Sequence, residues 1–124
     1  MTSTLYEYAI LRVVPQVERE EFVNIGVILY CHQSRKIAFQ YDVPEDLLHQ
    51  MSPSFEVSSI LPFLESMQRY CAGKGPLGDL PQVSRFRWLT ATKSTLLQFS
   101  KVHPGYALDP VEELSRLMEL YVKR

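Results

Sequence analysis

The sequence predicts an α+β fold, in which an antiparallel sheet of about five strands carries helices packed on one face. Two observations favour this class. Short segments rich in aromatic and β-branched residues are joined by turns of hairpin length, and strands joined in this way run antiparallel. Amphipathic helical segments follow them, and such helices need an apolar face to cover. The predicted order along the chain is β-β-β-α-α-β-β-α.

The first three strands are expected at residues 5–14, 22–31 and 36–41. Pro15 ends the first of them, because proline has no N–H to donate to a sheet. The four polar residues 32–35 separate the second strand from the third, and this is the length of a hairpin turn. These strands therefore form the antiparallel part of the sheet that is easiest to predict.

Three helices are predicted from apolar spacing and from their start signals. Asp42 is expected to cap a helix at residues 43–51, and a second helix is expected at 59–71. The last helix begins after Asp109, which is followed by Pro110 and by a capping-box glutamate. The stripe that this helix is expected to bury consists of Val111, Leu114, Leu117, Met118 and Tyr121.

A loop rich in glycine and proline is predicted at residues 72–84, inside a single domain that spans residues 1–124. Residues 73–78 match the spacing G-x-G-x-x-G, but they follow a helix rather than a strand, so no dinucleotide site is predicted. A second hairpin is predicted after the loop, with strands at residues 85–89 and 94–99.

The composition restricts the class of protein. Hydrophobic residues make up 46% of the chain and the net charge is −1, which excludes a globally basic nucleic-acid binder. The chain shows no signal peptide and no apolar run that could span a bilayer, so a cytoplasmic protein is expected. The cysteines and histidines lack metal-ligand spacing and no nucleophile motif is present. We expect no metal, no cofactor and no catalytic residue, although enzymatic activity stays open.

Polar residues stand inside two of the predicted strands. Arg12 interrupts an apolar segment, and Asn24 and Gly26 interrupt the next one. Asparagine is disfavoured in strands, and a glycine there often marks a bulge or a close backbone approach. One interpretation is a structural network, in which Arg12 pairs with Glu20 or Glu21. The other is a binding site formed by Arg12, Glu21 and Asn24.

Residues 80–108 contain no acidic residue and carry a charge of +4. The segment also holds the single tryptophan, Trp88, and several hydroxyl groups. Basic residues beside an aromatic ring and hydroxyls can hold a phosphate or a nucleic-acid backbone. A solvated hairpin with ordinary surface charges explains the same pattern.

Two groups of motifs resemble a bacterial family of unknown function, the domain-of-unknown-function family numbered 3037. The first contains E-F-V-N-I-G-V at residues 21–27, and the second contains R-W-L-T-A at residues 87–91. The resemblance covers nearly the whole chain and implies a small bacterial cytoplasmic protein without assigned activity. It also implies association with a HipA-like serine/threonine kinase, because members are often encoded beside one.

Three functions remain open on the sequence. The first is a non-enzymatic interaction or regulatory module with a protein partner such as that kinase. The second is a small enzyme or binding protein for an anionic or phosphate ligand, and the third is a weak nucleic-acid binder at residues 85–103. Homodimerisation through an edge strand is also possible. The candidate binding residues are Arg12, Glu21, Asn24, Trp88, Thr90, Lys93, Ser94, Thr95 and His103.

Overall fold

A ten-residue strand, β1 (Thr4–Val13), lies at the centre of the fold. It pairs antiparallel with β2 (Val23–Cys31), and β3 (Lys36–Tyr41) extends the sheet beyond β2. On its other side β1 pairs with two short strands, β4 (Leu97–Phe99) and β5 (His103–Ala107). The structure is a computed structural model that describes residues 3–73, 81–91, 94 and 96–123. The predicted α+β class and five-stranded antiparallel sheet are confirmed.

The helices pack on both faces of this sheet. They are α1 (Glu45–Met51), α2 (Leu61–Cys71), α3 (Gln82–Ala91) and α4 (Pro110–Tyr121), with 3₁₀ turns at Val17–Arg19 and Val57–Ser59. Among the helices of the described ranges, none has both the length and the apolar character that a membrane crossing requires.

Alternation along the strands divides the core into two clusters. Ala9 and Leu11 of β1 point to one face, where α1, α2 and α3 pack; we call this the three-helix face. Tyr6 and Ile10 point to the other face, where they contact Leu117 of α4; we call this the α4 face. Helices on one face only were predicted, and this detail is wrong. The central strands are apolar on both sides, so both faces need a cover.

The predicted second hairpin does not form. Residues 85–89 lie within α3, where Phe86 and Leu89 are buried three residues apart and the Phe86 ring stacks on Tyr30 at 5.7 Å. Five strands are nevertheless present because residues 103–107 form β5. Strands β4 and β5 pair with β1 and not with each other. The predicted loop at 72–84 is shorter, since residues 82–84 begin α3, and residues 74–80 lie outside the described ranges.

The start of α4 is as predicted, but that of α1 is not. The backbone N–H of Val111 donates to the Asp109 carboxylate over 3.0 Å, which confirms Asp109 as the N-cap. Helix α1 has no side-chain cap, because it begins only at Glu45 and Pro44 occupies its N-cap position. The backbone N–H of Asp42 donates to the carbonyl of Ile25 in the sheet. The buried stripe of α4 is narrower than predicted. It excludes Val111, which is 71% exposed, and Tyr121 is only partly covered.

The two edges of the sheet differ. Side-chain amides from the helices meet the outer edge of β3: Ile37 donates its N–H to Gln82, and Gln68 donates to the carbonyl of Phe39. The opposite edge is formed by β4 and β5, with Ser100 between them. The Ser100 N–H donates to the Ile10 carbonyl, and the Ile10 N–H donates to the Ser100 hydroxyl, both over 2.8 Å. Ser100 thus continues the pairing with β1 across the gap.

Candidate functional site

Both neighbours of β1 change register near the same point. Leu11 pairs with Gly26, whereas Arg12 pairs with Asn24, so Ile25 is an extra residue in β2. On the other side Tyr8 pairs with His103 while Leu11 pairs with Phe99, which leaves an extra residue between β4 and β5. Bulges of this kind turn side chains away from the regular pleat and are common beside functional sites. The sequence pattern at Asn24 and Gly26 predicts such an irregularity.

A cleft opens beside these bulges on the α4 face, at the carboxyl end of α4. Its volume is about 290 Å³, and we call it the polar cleft. Strand β1 contributes alternate residues, β2 and the edge strands add polar groups, and α4 adds its last residue. The lining residues are Tyr8, Ile10, Arg12, Asn24, Ser100, His103 and Tyr121.

Arg12 brings a positive charge to the polar cleft without an acidic partner in the described part of the chain. Its guanidinium lies over the Phe22 ring, 4.4 Å from the ring centre. Its Nε is buried without a hydrogen-bond partner, and Arg12 forms no ion pair within the described residues. The predicted structural pairing with Glu20 or Glu21 is wrong, because Glu21 pairs with Arg19. Arg12 is therefore held by an aromatic ring rather than by a carboxylate.

Aromatic rings form one side of the polar cleft. The ring centre of Tyr8 lies 5.5 Å from that of His103 and 6.2 Å from that of Tyr121. Burial, together with a hydrogen bond to Tyr121, raises the pKa of Tyr8 to about 12. The side-chain amide of Asn24 donates to the Tyr121 carbonyl over 3.1 Å. This bond satisfies one of the carbonyl groups at the end of α4.

Three of the predicted site residues converge in the polar cleft: Arg12, Asn24 and His103. Glu21, Trp88, Thr90 and Ser94 do not, and Lys93 and Thr95 lie outside the described residues.

Of the predicted residues besides Glu21 that lie elsewhere, two form local hydrogen bonds and one lies in a groove between helices. Thr90 is in α3 and donates to the Phe86 carbonyl over 2.9 Å, while the Ser94 hydroxyl accepts from the Leu97 N–H over 3.0 Å. Trp88 is half-exposed in a groove between α2 and α3.

The basic surface expected at residues 85–103 is not built as predicted, since the hairpin is absent. Arg85 is buried in α3. Arg87 donates to both carboxylate oxygens of Glu7, over 2.7 and 3.0 Å, and His32 lies 2.6 Å from the same carboxylate. Burial raises the pKa of Glu7, but the hydrogen bonds from Arg87 and His32 outweigh it, so this pKa lies below its ordinary value. Arg85 and Arg87 thus belong to α3 and not to a basic hairpin.

A second cleft on the α4 face was not predicted from the sequence. It lies at the amino end of α4, has a volume of about 390 Å³, and is lined mainly by apolar groups. We call it the apolar cleft. Its floor includes Leu29, Cys31 and Ala38, and its rim includes Leu108 and Val111. The helical spacing of Val111 predicted that its side chain is buried, but it is exposed. The spacing does not show where α4 lies on the sheet.

Cys31 is a buried thiol in the floor of the apolar cleft. Burial raises its pKa, but hydrogen bonds involving Ser34, Gln33 and Thr4 outweigh this effect and leave the pKa below its ordinary value. Cys71 lies in the other cluster, where burial raises the pKa of the thiol to about 12. The two cysteines are free in the structure.

The two clefts suit different chemistry. The polar cleft offers a cation, an amide and aromatic rings, whereas the apolar cleft offers a hydrophobic recess. No group of three or more potential metal ligands occurs within the ranges that the structure describes. No curated protein and no solved structure is similar enough to match the chain. The model of the family described as "Protein of unknown function (DUF3037)" matches residues 8–122, nearly the whole chain, and the protein therefore belongs to that family.

Proposed function

We propose that this protein is a non-enzymatic interaction module of the bacterial cytoplasm, and that a protein partner docks at the apolar cleft. The observation that carries the proposal is the exposure of large apolar side chains at its rim. Leu108 is 59% exposed and Val111 is 71% exposed. Such residues beside an apolar recess are typical of protein-binding surfaces.

The composition of the cleft supports a protein rather than a small polar ligand as its occupant. The floor is apolar, while Lys36 and Asp109 stand at its edge. An apolar centre with a polar rim is the usual anatomy of a protein interface. A volume of about 390 Å³ has room for an apolar side chain of the partner. That side chain would supply the anchor of the complex.

The partner that we propose is a HipA-like serine/threonine kinase. The resemblance of the chain to its family supports this choice, because members are often encoded beside such a kinase. The interaction would make the protein a regulator or an accessory subunit of the kinase.

The test is co-expression of the tagged protein with the HipA-like kinase encoded beside it, followed by purification at low and moderate salt. We expect a stoichiometric complex with the wild-type protein. Leu108→Glu and Val111→Glu place a charge at the rim of the apolar cleft, and each should reduce the captured kinase at least about tenfold. The measurement is the kinase-to-bait ratio determined by quantitative mass spectrometry.

The matched control is Leu120→Glu. Leu120 is 58% exposed on the same helix but does not line the apolar cleft, so this variant should capture as much kinase as the wild type. A complex that survives both rim variants would refute docking at this cleft. Absence of a complex with the kinase would refute the proposed partner. Light scattering of the purified protein tests the other occupant, a second copy of the chain.

A further inference from the structure

We propose that the polar cleft binds a small organic oxyanion, a carboxylate or a phosphate monoester, attached to a flat apolar body. The inference is independent of the proposed docking of a protein at the other end of α4. It rests on the surroundings of Arg12, on the aromatic side of the cleft and on its size.

The charge of the polar cleft favours an anionic ligand. Arg12 brings a permanent positive charge into the cleft, and no residue that lines the cleft is acidic. Its Nε is buried without a partner, and such a donor lowers stability unless an acceptor reaches it. An oxyanion of a ligand would supply the missing opposite charge and would accept from the other N–H groups of the guanidinium.

The guanidinium of Arg12 is held in place before a ligand binds. The Phe22 ring supports one side of the guanidinium at 4.4 Å, which restricts the orientation of its plane. A planar guanidinium binds two oxygens of one carboxylate or phosphate in a fixed geometry. A lysine at this position would keep the charge but would lose that geometry.

The aromatic side of the cleft favours a ligand with a flat apolar body. The rings of Tyr8, His103 and Tyr121 lie close together in the cleft, and rings pack well against a flat apolar group. The volume of about 290 Å³ is at the lower limit of ligand pockets, about 300–1,000 Å³, and admits one small molecule. The cleft therefore suits a single aromatic ring that carries the anion.

Carbonyl groups at the nearby end of α4 give a negative potential that opposes an anion. The Asn24 amide donates to the Tyr121 carbonyl and reduces this effect at the wall of the cleft. Asn24 thus shields the binding site from the helix terminus while it holds α4 against β2.

The test is a titration of isotopically labelled protein with phenyl phosphate, benzoate, inorganic phosphate and benzyl alcohol, followed by NMR. We expect saturable shifts of the Asn24, Ser100 and His103 amides with phenyl phosphate or with benzoate. The probe of these two that binds more tightly identifies the class of anion. Benzyl alcohol has the ring without the charge and should bind at least about tenfold more weakly. Inorganic phosphate should also bind more weakly, since it lacks the ring.

Variants of Arg12 test the role of the guanidinium. Arg12→Met should weaken binding of the preferred probe about tenfold or more, and Arg12→Lys should weaken it less. The matched control is Arg19→Met, because Arg19 is exposed and lies outside the cleft, and its affinity should equal that of the wild type. Should Arg12→Met not fold, the affinity of the Arg12→Lys variant and the positions of the wild-type shifts test the proposal instead.

Three results would overturn the proposal. The first is that neither anion shifts the amides of the polar cleft, or that the shifts lie elsewhere. The second is that benzyl alcohol binds as well as the anions. The third is that a folded Arg12→Met variant binds within about twofold of the wild type or, where that variant does not fold, that Arg12→Lys binds as tightly as the wild type.

Discussion

Gly105 shows how a single position in β5 depends on a residue in β1. It lies opposite Tyr6, and a Cβ added to Gly105 would be 2.5 Å from the Cζ and Oη atoms of that ring. Tyr6 is itself buried against α4, so its ring has little freedom to move away. The absence of a side chain at position 105 thus makes room for the ring.

We therefore expect Gly105→Ala to lower the free energy of unfolding by about 1–3 kcal/mol, the usual cost of overpacking. Urea denaturation followed by circular dichroism measures this change. The same substitution in a Tyr6→Leu background, where the ring is absent, should cost much less. An equal cost in both backgrounds would show that the ring is not the cause.

The residues of the polar cleft were predictable only in part. Arg12 and Asn24 stood out because polar groups inside apolar strands need an explanation. Tyr8, Ser100 and Tyr121 carry no such signal, since tyrosine and serine are ordinary in strands, turns and helices. They belong to the cleft because β1 pairs with β5 and because α4 ends above β1, and neither arrangement can be derived from local sequence.

At the scale of elements, α3 is fixed to the sheet by the contact between Arg87 and Glu7. The pKa of Glu7 is below its ordinary value of 4.5, so the folded protein binds the proton less readily than the unfolded chain. This contribution to stability is complete above the ordinary value and is lost as the pH falls through the lower pKa of the folded state.

We expect Glu7→Gln to lower the free energy of unfolding by about 1 kcal/mol at pH 7, a modest value because Arg87 is half-exposed. The difference from the wild type should shrink towards zero as the pH is lowered from 5 to about 2, where Glu7 becomes protonated. Urea denaturation over this pH range tests the expectation. Glu119→Gln, at an exposed position of α4, is the control and should show little effect. A difference that stays constant with pH would contradict the interpretation.

The elements that were predicted correctly have strong local signals. β1, β2 and β3 are rich in aromatic and β-branched residues, and α4 begins with a cap and a proline. α3 was mistaken for a strand because Phe86 and Trp88 stand in alternation with charged residues. The spacing of Val83, Phe86 and Leu89 by three was the helical signal, and tertiary packing favours it. β5 contains Pro104 and Gly105, which suggest a loop, and only pairing with β1 makes it a strand.

At the scale of the whole molecule, the two core clusters are not separable. Ala9 and Ile10 are adjacent in β1, yet they belong to different clusters on opposite faces. The same strands therefore carry both halves of the core. We expect the protein to unfold as one cooperative unit, as most domains of this size do.

Leu117→Ala in α4 tests this cooperativity. Leu117 is fully buried on the α4 face, and its truncation should lower the free energy of unfolding by about 2–5 kcal/mol. Trp88, the single tryptophan, is in α3 on the opposite side of the sheet and provides a fluorescence signal there. The fluorescence midpoint should shift as far as the circular dichroism midpoint does. An unchanged fluorescence midpoint would mean that the two faces unfold separately.

Hydrogen bonds to the edge strands of the sheet limit how copies of this protein can assemble. Gln68 and Gln82 occupy hydrogen-bonding groups on the outer side of β3, where another strand would have to bind. At the opposite edge Ser94 already bonds both the N–H and the carbonyl of Leu97 in β4. Of the described strands, we therefore expect β5 to be the one that pairs with a second sheet. A contact that uses the same edge in both copies is two-fold symmetric and ends at a dimer. An assembly built on that contact would stop at two copies and would not grow into filaments.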